Sequence, residues 1–315
     1  MDFYSNLLPI SLYEGLSYGF VAIGVYMTFR VLSFPDLSVD GSFPLGGAIA
    51  AVCIINGWNP WLATFVAMLA GCVSGLCTAL LNTKLRINAL LSGILMMVSL
   101  YSINLIIMGR SNIPLLREVT VFDTIRNVPV FESIAQWLAD LLSISTSLVV
   151  SIGFIAVMAV IILVILNWFL RTEIGLALRA TGDNEQMIRG LGCDTDMTTM
   201  LGVSLSNGLV ALSGSLISQN QGFSDVGMGI GMIVMGLASV IIGEGLFRPK
   251  GITWVLLAVV GGAFAYRLFI GIALRLGLPP TNLKLITALL VIVALAIPYA
   301  RKKIRGEWIP PAVRM

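Results

Sequence analysis

Eight runs of apolar residues govern what this chain can fold into, falling at about 7–29, 61–81, 89–108, 148–170, 200–220, 228–246, 252–274 and 283–299. Each approaches the ~20 residues that a helix needs to cross a bilayer. Lipid offers no water to backbone N–H and C=O groups, so runs of this length demand helices. A further run at 44–55 is too brief to cross alone. It follows the polar stretch SFPDLSVDGSF at 33–43, and the two together read as one broken element, partly non-helical at membrane depth. Such backbone is tolerated only against protein or a water-filled cavity. The expected fold is all-α: a polytopic transmembrane helical bundle of about 8–10 spans with one broken or re-entrant element, forming a single domain over 1–315.

Composition excludes several classes of chemistry. The chain is 57% hydrophobic and 11% charged, with a mean hydropathy of +0.96, against about 25% charged residues in soluble domains. Cys53, Cys72, Cys77 and Cys193 lie in or beside apolar runs without metal spacing, and there is no His. Disulfide frameworks, zinc sites and His-based catalysis are therefore disfavoured. No catalytic residue, resident metal or cofactor is expected. The net charge of +3 reflects topology rather than nucleic-acid binding. The N-terminal MDFYSNLLPI lacks a basic leader region, so the first run is expected to stay as a span.

Lys and Arg set the orientation. Lys84 and Arg86, then Arg171, Arg179 and Arg189, then Arg248 and Lys250, and finally Arg301, Lys302, Lys303 and Arg305 fall at alternate span ends. That face is assigned to the cytoplasm, which places the C-terminus inside. If the broken element also crosses, the N-terminus lies outside and Arg30 inside. The segment 109–146 is then extracytoplasmic, although Arg110, Arg117 and Arg126 weaken the charge bias there. Within it Ile134, Trp137, Leu138 and Leu141 repeat at helical spacing beside Glu132 and Asp140, as in a helix lying on a membrane surface.

The longest polar interruption that faces the cytoplasm is 171–198, RTEIGLALRATGDNEQMIRGLGCDTDMT. Residues 173–180 have helical composition, Thr181-Gly182-Asp183-Asn184 breaks it, and 185–191 can restart it. Asp183 or Asn184 is placed to cap the second helix, with Gly192 as its stop. Spacing alone leaves two readings open, a rigid lever between spans and an ordinary interfacial loop.

Other polar groups lie within or near the runs. Asp36, Ser38 and Asp40 in the broken element are candidates for a translocation path; alternatively both aspartates sit in a cytoplasmic turn near Arg30. Ser204, Asn207, Ala211, Ser215 and Ser218 share one face of the 200–220 helix, as a pore lining or as interhelical hydrogen bonds do. With the N-terminus outside, Glu14 and Arg267 lie inside spans at matching depths, which predicts a buried ion pair. Paired glycines such as Gly71 and Gly75 predict close helix packing in a compact bundle or dimer. The chain has no G-x-x-x-x-G-K-[ST] loop, so it has no Walker A site for nucleotide.

The stretch GLALRATGDNEQMIRGLGCD resembles the cytoplasmic coupling motif of permease subunits in the branched-chain amino acid and monosaccharide family of bacterial ABC importers. That motif reads approximately G-x-A-L-R-A-x-G-x-N-x-x-x-A-R-x-x-G-I. Gly175, Ala177, Leu178, Arg179, Ala180, Gly182, Asn184, Arg189 and Gly192 stand at matching positions, while Ile188 and Cys193 depart from it. Asp36-Leu37-Ser38-Val39 is similar to the family's D-L-S-V-G element, with Asp40 in place of Gly. The run 239–245, SVIIGEG, resembles its later G-G-x-G turn, with Glu244 in place of the second Gly.

The resemblance implies a type II importer permease in the bacterial plasma membrane, moving a small solute by alternating access. It implies that ATP is used by a separate ABC ATPase subunit gripping 171–198, and that an extracytoplasmic substrate-binding protein delivers the solute. A second permease copy, as a homodimer, would complete the path. The combination of DLSVDGSF, IIGEG and Lys284 is similar to permeases proposed for tryptophan- or tyrosine-type substrates. The rival class is an ion-coupled secondary transporter using Asp36, Asp40 or Glu14. Uncoupled transport in an Arg179→Glu or Gly182→Pro chain with an intact bundle is the outcome expected of a coupling segment.

Overall fold

The structure is a computed structural model that describes residues 7–126, 136, 139, 145–277, 285–289 and 292. Helix α1 (Leu7–Tyr26) continues through a π-helical turn, Met27–Val31, and is followed by α2 (Val39–Ile55), α3 (Pro60–Thr83) and α4 (Ala89–Met108). A short strand β1 (Asn112–Pro114) and α5 (Val121–Arg126) precede α6 (Thr146–Phe169). Two short helices, α7 (Glu173–Asp183) and α8 (Glu185–Gly190), lead into α9 (Thr195–Gln221). Strand β2 (Phe223–Asp225), a 3-10 turn (Val226–Gly229), α10 (Met232–Phe247) and α11 (Ile252–Arg275) complete the described elements. Among the described residues seven helical stretches are long and apolar enough to cross a membrane, and α2 is a shorter apolar helix. The run 283–299 (all but 285–289 and 292), the surface helix built on Ile134, Trp137, Leu138 and Leu141, Lys284 and the basic cluster at 301–305 lie outside the described residues.

The helix ends follow local chemistry. Asn59 and Asn88 cap α3 and α4 through their side chains, accepting from Trp61 N and Leu90 N at 2.9 Å each. Gly109 and Gly222 close α4 and α9 in the left-handed conformation that glycine adopts without strain. β1 and β2 pair antiparallel just beyond those two helix ends, so α4 and α9 finish on the same face, here the strand face. The opposite, loop face carries α7 and α8. There Arg171 reaches Thr253 Oγ1 at 2.9 Å and so ties the end of α6 to the start of α11.

Helix α9 is the axis of the bundle, and most of its residues are buried. It is also the span with the most polar residues inside, and they are bonded. Ser206 and Ser213 donate to the Gly24 and Ser17 carbonyls of α1 at 2.7 Å each, and Gln219 Nε2 donates to Thr64 of α3 at 2.8 Å. These contacts run α1 antiparallel to α9. The N-terminal end of α1 therefore lies on the strand face, opposite α7 and α8, which is the crossing topology of the broken element. A Cβ on Gly71 or Gly214 would overlap the Asn207 or Phe43 carbonyl oxygen respectively, so both glycines hold backbones in contact.

Two expectations need correction. The break before α2 is shorter than 33–43: the helix already begins at Val39 and passes through Pro44. Pro44 has no N–H for the Asp40 carbonyl, and that carbonyl lies against Gly229, where a Cβ would not fit. The apolar run 228–246 is not one helix. It is broken at Ile230–Gly231, with Gly231 at φ 91°, and α10 starts only at Met232.

Candidate functional site

Three groups of predicted residues are brought together in three places. The first is the loop face. Thr172 caps α7, its Oγ1 accepting from Gly175 N at 3.3 Å, and Asn184 rather than Asp183 caps α8, accepting from Met187 N at 3.0 Å. Gly192 follows at φ 85°, in the left-handed region that stops the helix. Leu178 and Ile188 are buried, whereas Arg179, Asp183 and Arg189 are exposed and Ala180 half-buried. Gly175 packs on the Phe169–Leu170 backbone, and a Cβ on Gly182 would overlap the Val31 carbonyl oxygen. Helix α7 thus sits directly on the turn that ends α1. Thr181 and Thr198 hydroxyls, 3.0 Å apart, bind it to the base of α9.

Arg189 fastens the second half of this segment. Its Nε donates to Thr195 Oγ1 at 2.5 Å, and its Nη2 lies 2.7 Å from Glu185 and 2.8 Å from Asp196. Arg189 therefore holds α8 to the start of α9. The sequence matched Arg189 to a motif position but gave no sign of these partners. Beside it a polar hollow of about 360 Å³ opens between residues 32–34, the α3–α4 turn with Asn82 and Arg86, and Thr181, Glu185 and Asp196.

The second place is the broken turn. Asp36 is fully buried, and one carboxylate oxygen accepts from Ser38 N at 2.8 Å and Ser38 Oγ at 2.6 Å. The other accepts from Asn207 Nδ2 of α9 at 2.7 Å. Ser204 donates to the Cys72 carbonyl of α3 at 2.8 Å, and Ser215 Oγ accepts from Gln219 Nε2 at 3.2 Å. The α9 stripe is accordingly bonded within the chain. Asp40 reaches the second break instead, accepting from Gly231 N at 3.0 Å and Ile233 N at 2.8 Å. It is the cap of α10, and nothing local in the sequence links the two. On the loop face Arg30 of the π-helical turn pairs with Glu244 of α10, the residue that departs from the G-G-x-G turn.

The third place is the strand-face half of α1 and α11. Arg267 Nη1 and Glu14 Oε2 are 3.6 Å apart, and the guanidinium carbon lies 3.6 Å from the centre of the Tyr18 ring. Tyr18 in turn stacks on Phe43 of α2, with centroids 6.0 Å apart. Tyr18 was not singled out by the sequence, although its position one turn after Glu14 was a usable signal. Among the described residues no group of three or more His, Cys, Asp or Glu is placed to hold a metal.

Residues 8–296 match the family described as the branched-chain amino acid transport system permease component. The chain belongs to that family. This permease is 41% identical over 300 residues to a tyrosine transport system permease protein of Clostridioides difficile, covering 94% of each chain. It is 33% identical over 295 residues to an uncharacterized protein of Rickettsia prowazekii, covering 92% of this chain and 97% of the other. A probable branched-chain amino acid transport permease protein of Methanocaldococcus jannaschii is 26% identical over 219 residues, 68% of this chain and 63% of that one. No solved structure matches it. The permease is thus the multi-pass membrane subunit of an ABC importer for amino acids or related solutes. Family membership implies an ATPase partner and a substrate-binding protein.

Proposed function

We propose that this permease works as one of two identical copies in a bacterial plasma membrane, importing an aromatic amino acid or a close relative. Its loop face is cytoplasmic, its C-terminus lies on that side, and the segment 171–198 receives the force of the ATPase. The substrate class rests on the tyrosine permease that matches 94% of the chain. The sidedness rests on Lys84, Arg86, Arg171, Arg179, Arg189, Arg248 and Lys250, which gather on the loop face.

The seat of Gly182 on the Val31–Leu32 backbone carries the coupling mechanism. A push on α7 meets the end of α1 without a side chain between to absorb it. From there the chain runs through residues 33–38 to Asp36, bonded to α9, and to Asp40, bonded to α10. Movement of α7 is therefore passed to both broken elements. Partner contact would fall on exposed apolar groups outside the spans, Ile174, Leu176, Met187 and Leu191, beside the exposed Arg179. Gly175, Leu178, Ala180, Thr181 and Gly182 hold α7 in place, while Asp183 and Asn184 make the turn and Arg189 and Gly192 set α8.

The ion-coupled alternative would need carboxylates free to bind and release a cation in the membrane. Asp36 and Asp40, two of the three carboxylates it could use, each accept bonds from this chain on both oxygens, and the match to an importer permease family favours ATP-driven import.

Gly182→Ala tests the mechanism. Alanine favours a helix interior by about 1 kcal/mol over glycine, so any loss comes from the collision with Val31. Tyrosine uptake by vesicles holding the permease, its ATPase and its binding protein should fall by about tenfold while ATP hydrolysis continues. Gly190→Ala, where no atom lies within 4 Å of the added carbon, should leave uptake intact. Equal uptake in both variants, or failure of the Gly182→Ala chain to enter the membrane, would return α7 to a purely structural role.

A further inference from the structure

The Glu14–Arg267 pair is a poor ion pair in a costly place. Both residues lie about 10 Å inside the ends of their helices at 1.5 Å per residue, where a charge is retained only against protein or water. The approach between them is 3.6 Å, longer than the 2.7–2.9 Å of a charge-assisted hydrogen bond. The exposures are unequal. The Arg267 side chain is 16% exposed and the Glu14 side chain 40%. Arg267 Nε is buried and has no acceptor among the described residues. A buried donor without an acceptor among the described residues has capacity for a further hydrogen bond.

The surroundings say what kind of acceptor fits. Arg267 lies over the Tyr18 ring, and Tyr18 stacks on Phe43, so aromatic surface covers one side of the guanidinium and leaves its other N–H groups for hydrogen bonds. Tyr18, Met228 and Met232 are only half-buried. They pack against one buried cluster beside the break at Ile230–Gly231, after which α10 begins only at Met232. A cation edge, a carboxylate and an aromatic ring side by side suit a zwitterion with an aromatic or apolar side chain. A half-exposed carboxylate at this depth cannot face hydrocarbon, so this side of α1 and α11 borders water.

We propose that Glu14, Tyr18 and Arg267 form a solute-contact site on the strand-face half of the translocation path. Arg267 takes the carboxylate of an amino-acid-like solute, Glu14 its ammonium group, and Tyr18 its side chain. The site rests on the reading of this chain as an amino acid importer's permease, and its test has one arm that does not depend on that reading.

The first arm measures water access in the whole permease–ATPase complex, with the four native cysteines replaced by alanine. Glu14→Cys and Tyr18→Cys should react with a charged, membrane-impermeant methanethiosulfonate, whereas Leu12→Cys, on the exposed apolar face of the same helix, should not. Absence of reaction at both test positions, with and without ATP, overturns the site whatever the solute. The second arm measures tyrosine uptake in the reconstituted complex with its binding protein, where uptake by the unaltered chain tests the importer reading by itself. Arg267→Gln and Glu14→Gln should each lower uptake roughly tenfold or more, with the variants still co-purifying with the ATPase. The double variant should be no better than either single one. Recovery of uptake in the double variant would show a structural ion pair only, and the proposal would fall.

Discussion

Replacing Asp36 by Asn keeps the side-chain shape but exchanges one acceptor for a donor. Both Asp36 oxygens face donors, Ser38 on one side and Asn207 on the other, so either amide orientation sets N–H against N–H or O–H. In a sealed position the mismatch should cost about 1–3 kcal/mol. A lowered melting temperature of the detergent-solubilised complex would report it. Adding Asn207→Asp returns one acceptor opposite the new donor and should recover most of the loss. No recovery would mean that Asp36 acts through something other than this bond. The sequence marked Asp36 because a carboxylate in an apolar neighbourhood is conspicuous, and marked Asn207 as one polar residue on a stripe. It could not join them, since 171 residues separate the two and no local pattern encodes a contact at that distance. Glu14 and Arg267 were easier to relate, because helix rise converts position along each span into depth.

At the scale of elements, hydropathy located the spans well and their interruptions poorly. The ends of α3, α4 and α11 fall within two residues of the apolar runs, because the bilayer fixes length and Asn59, Asn88 and Gly109 fix the ends. The break before α10 escaped notice because its sequence, VGMGIGM, is as apolar as a helix. The alternation of Gly227, Gly229 and Gly231 is its one signal in the sequence. What sustains the break is a residue of another element. Asp40 supplies the acceptor for Gly231 N and Ile233 N, which a helix start otherwise leaves unbonded. Asp40→Ala should therefore loosen α10 at its first turn without unfolding the bundle. Loss of an N-cap costs about 0.5–2 kcal/mol, so amide hydrogen exchange at 231–235 should speed up by roughly 2–30-fold. Unchanged exchange there, or equal acceleration throughout α9, would show that Asp40 is not the local clamp of the second break.

For the whole molecule, the two faces differ in chemistry as well as in position. The loop face gathers Arg30, Lys84, Arg86, Arg171, Arg179, Arg189, Arg248 and Lys250, while the strand face has Arg110, Arg117, Arg126 and Arg275. The alternation of spans from α1 onward was legible once the broken element was counted as crossing, and α9 then fixed the relative order of the faces through its bonds to α1. The assignment of the loop face to the cytoplasm is open to a direct check by thiol labelling. Cys193 is exposed beside Gly192, whereas Cys53, Cys72 and Cys77 are half-buried along α2 and α3. A membrane-impermeant maleimide should label the native chain in inverted vesicles, and Cys193→Ser should remove that signal. In intact cells the same reagent should leave Cys193 unmodified but react with Asn112→Cys, placed on the exposed strand β1. Labelling of Cys193 from outside would invert the molecule, and with it the face available to an ATPase. The segment 171–198 would then be unable to receive force from ATP hydrolysis, so this one result bears on the coupling mechanism as strongly as any substitution within α7.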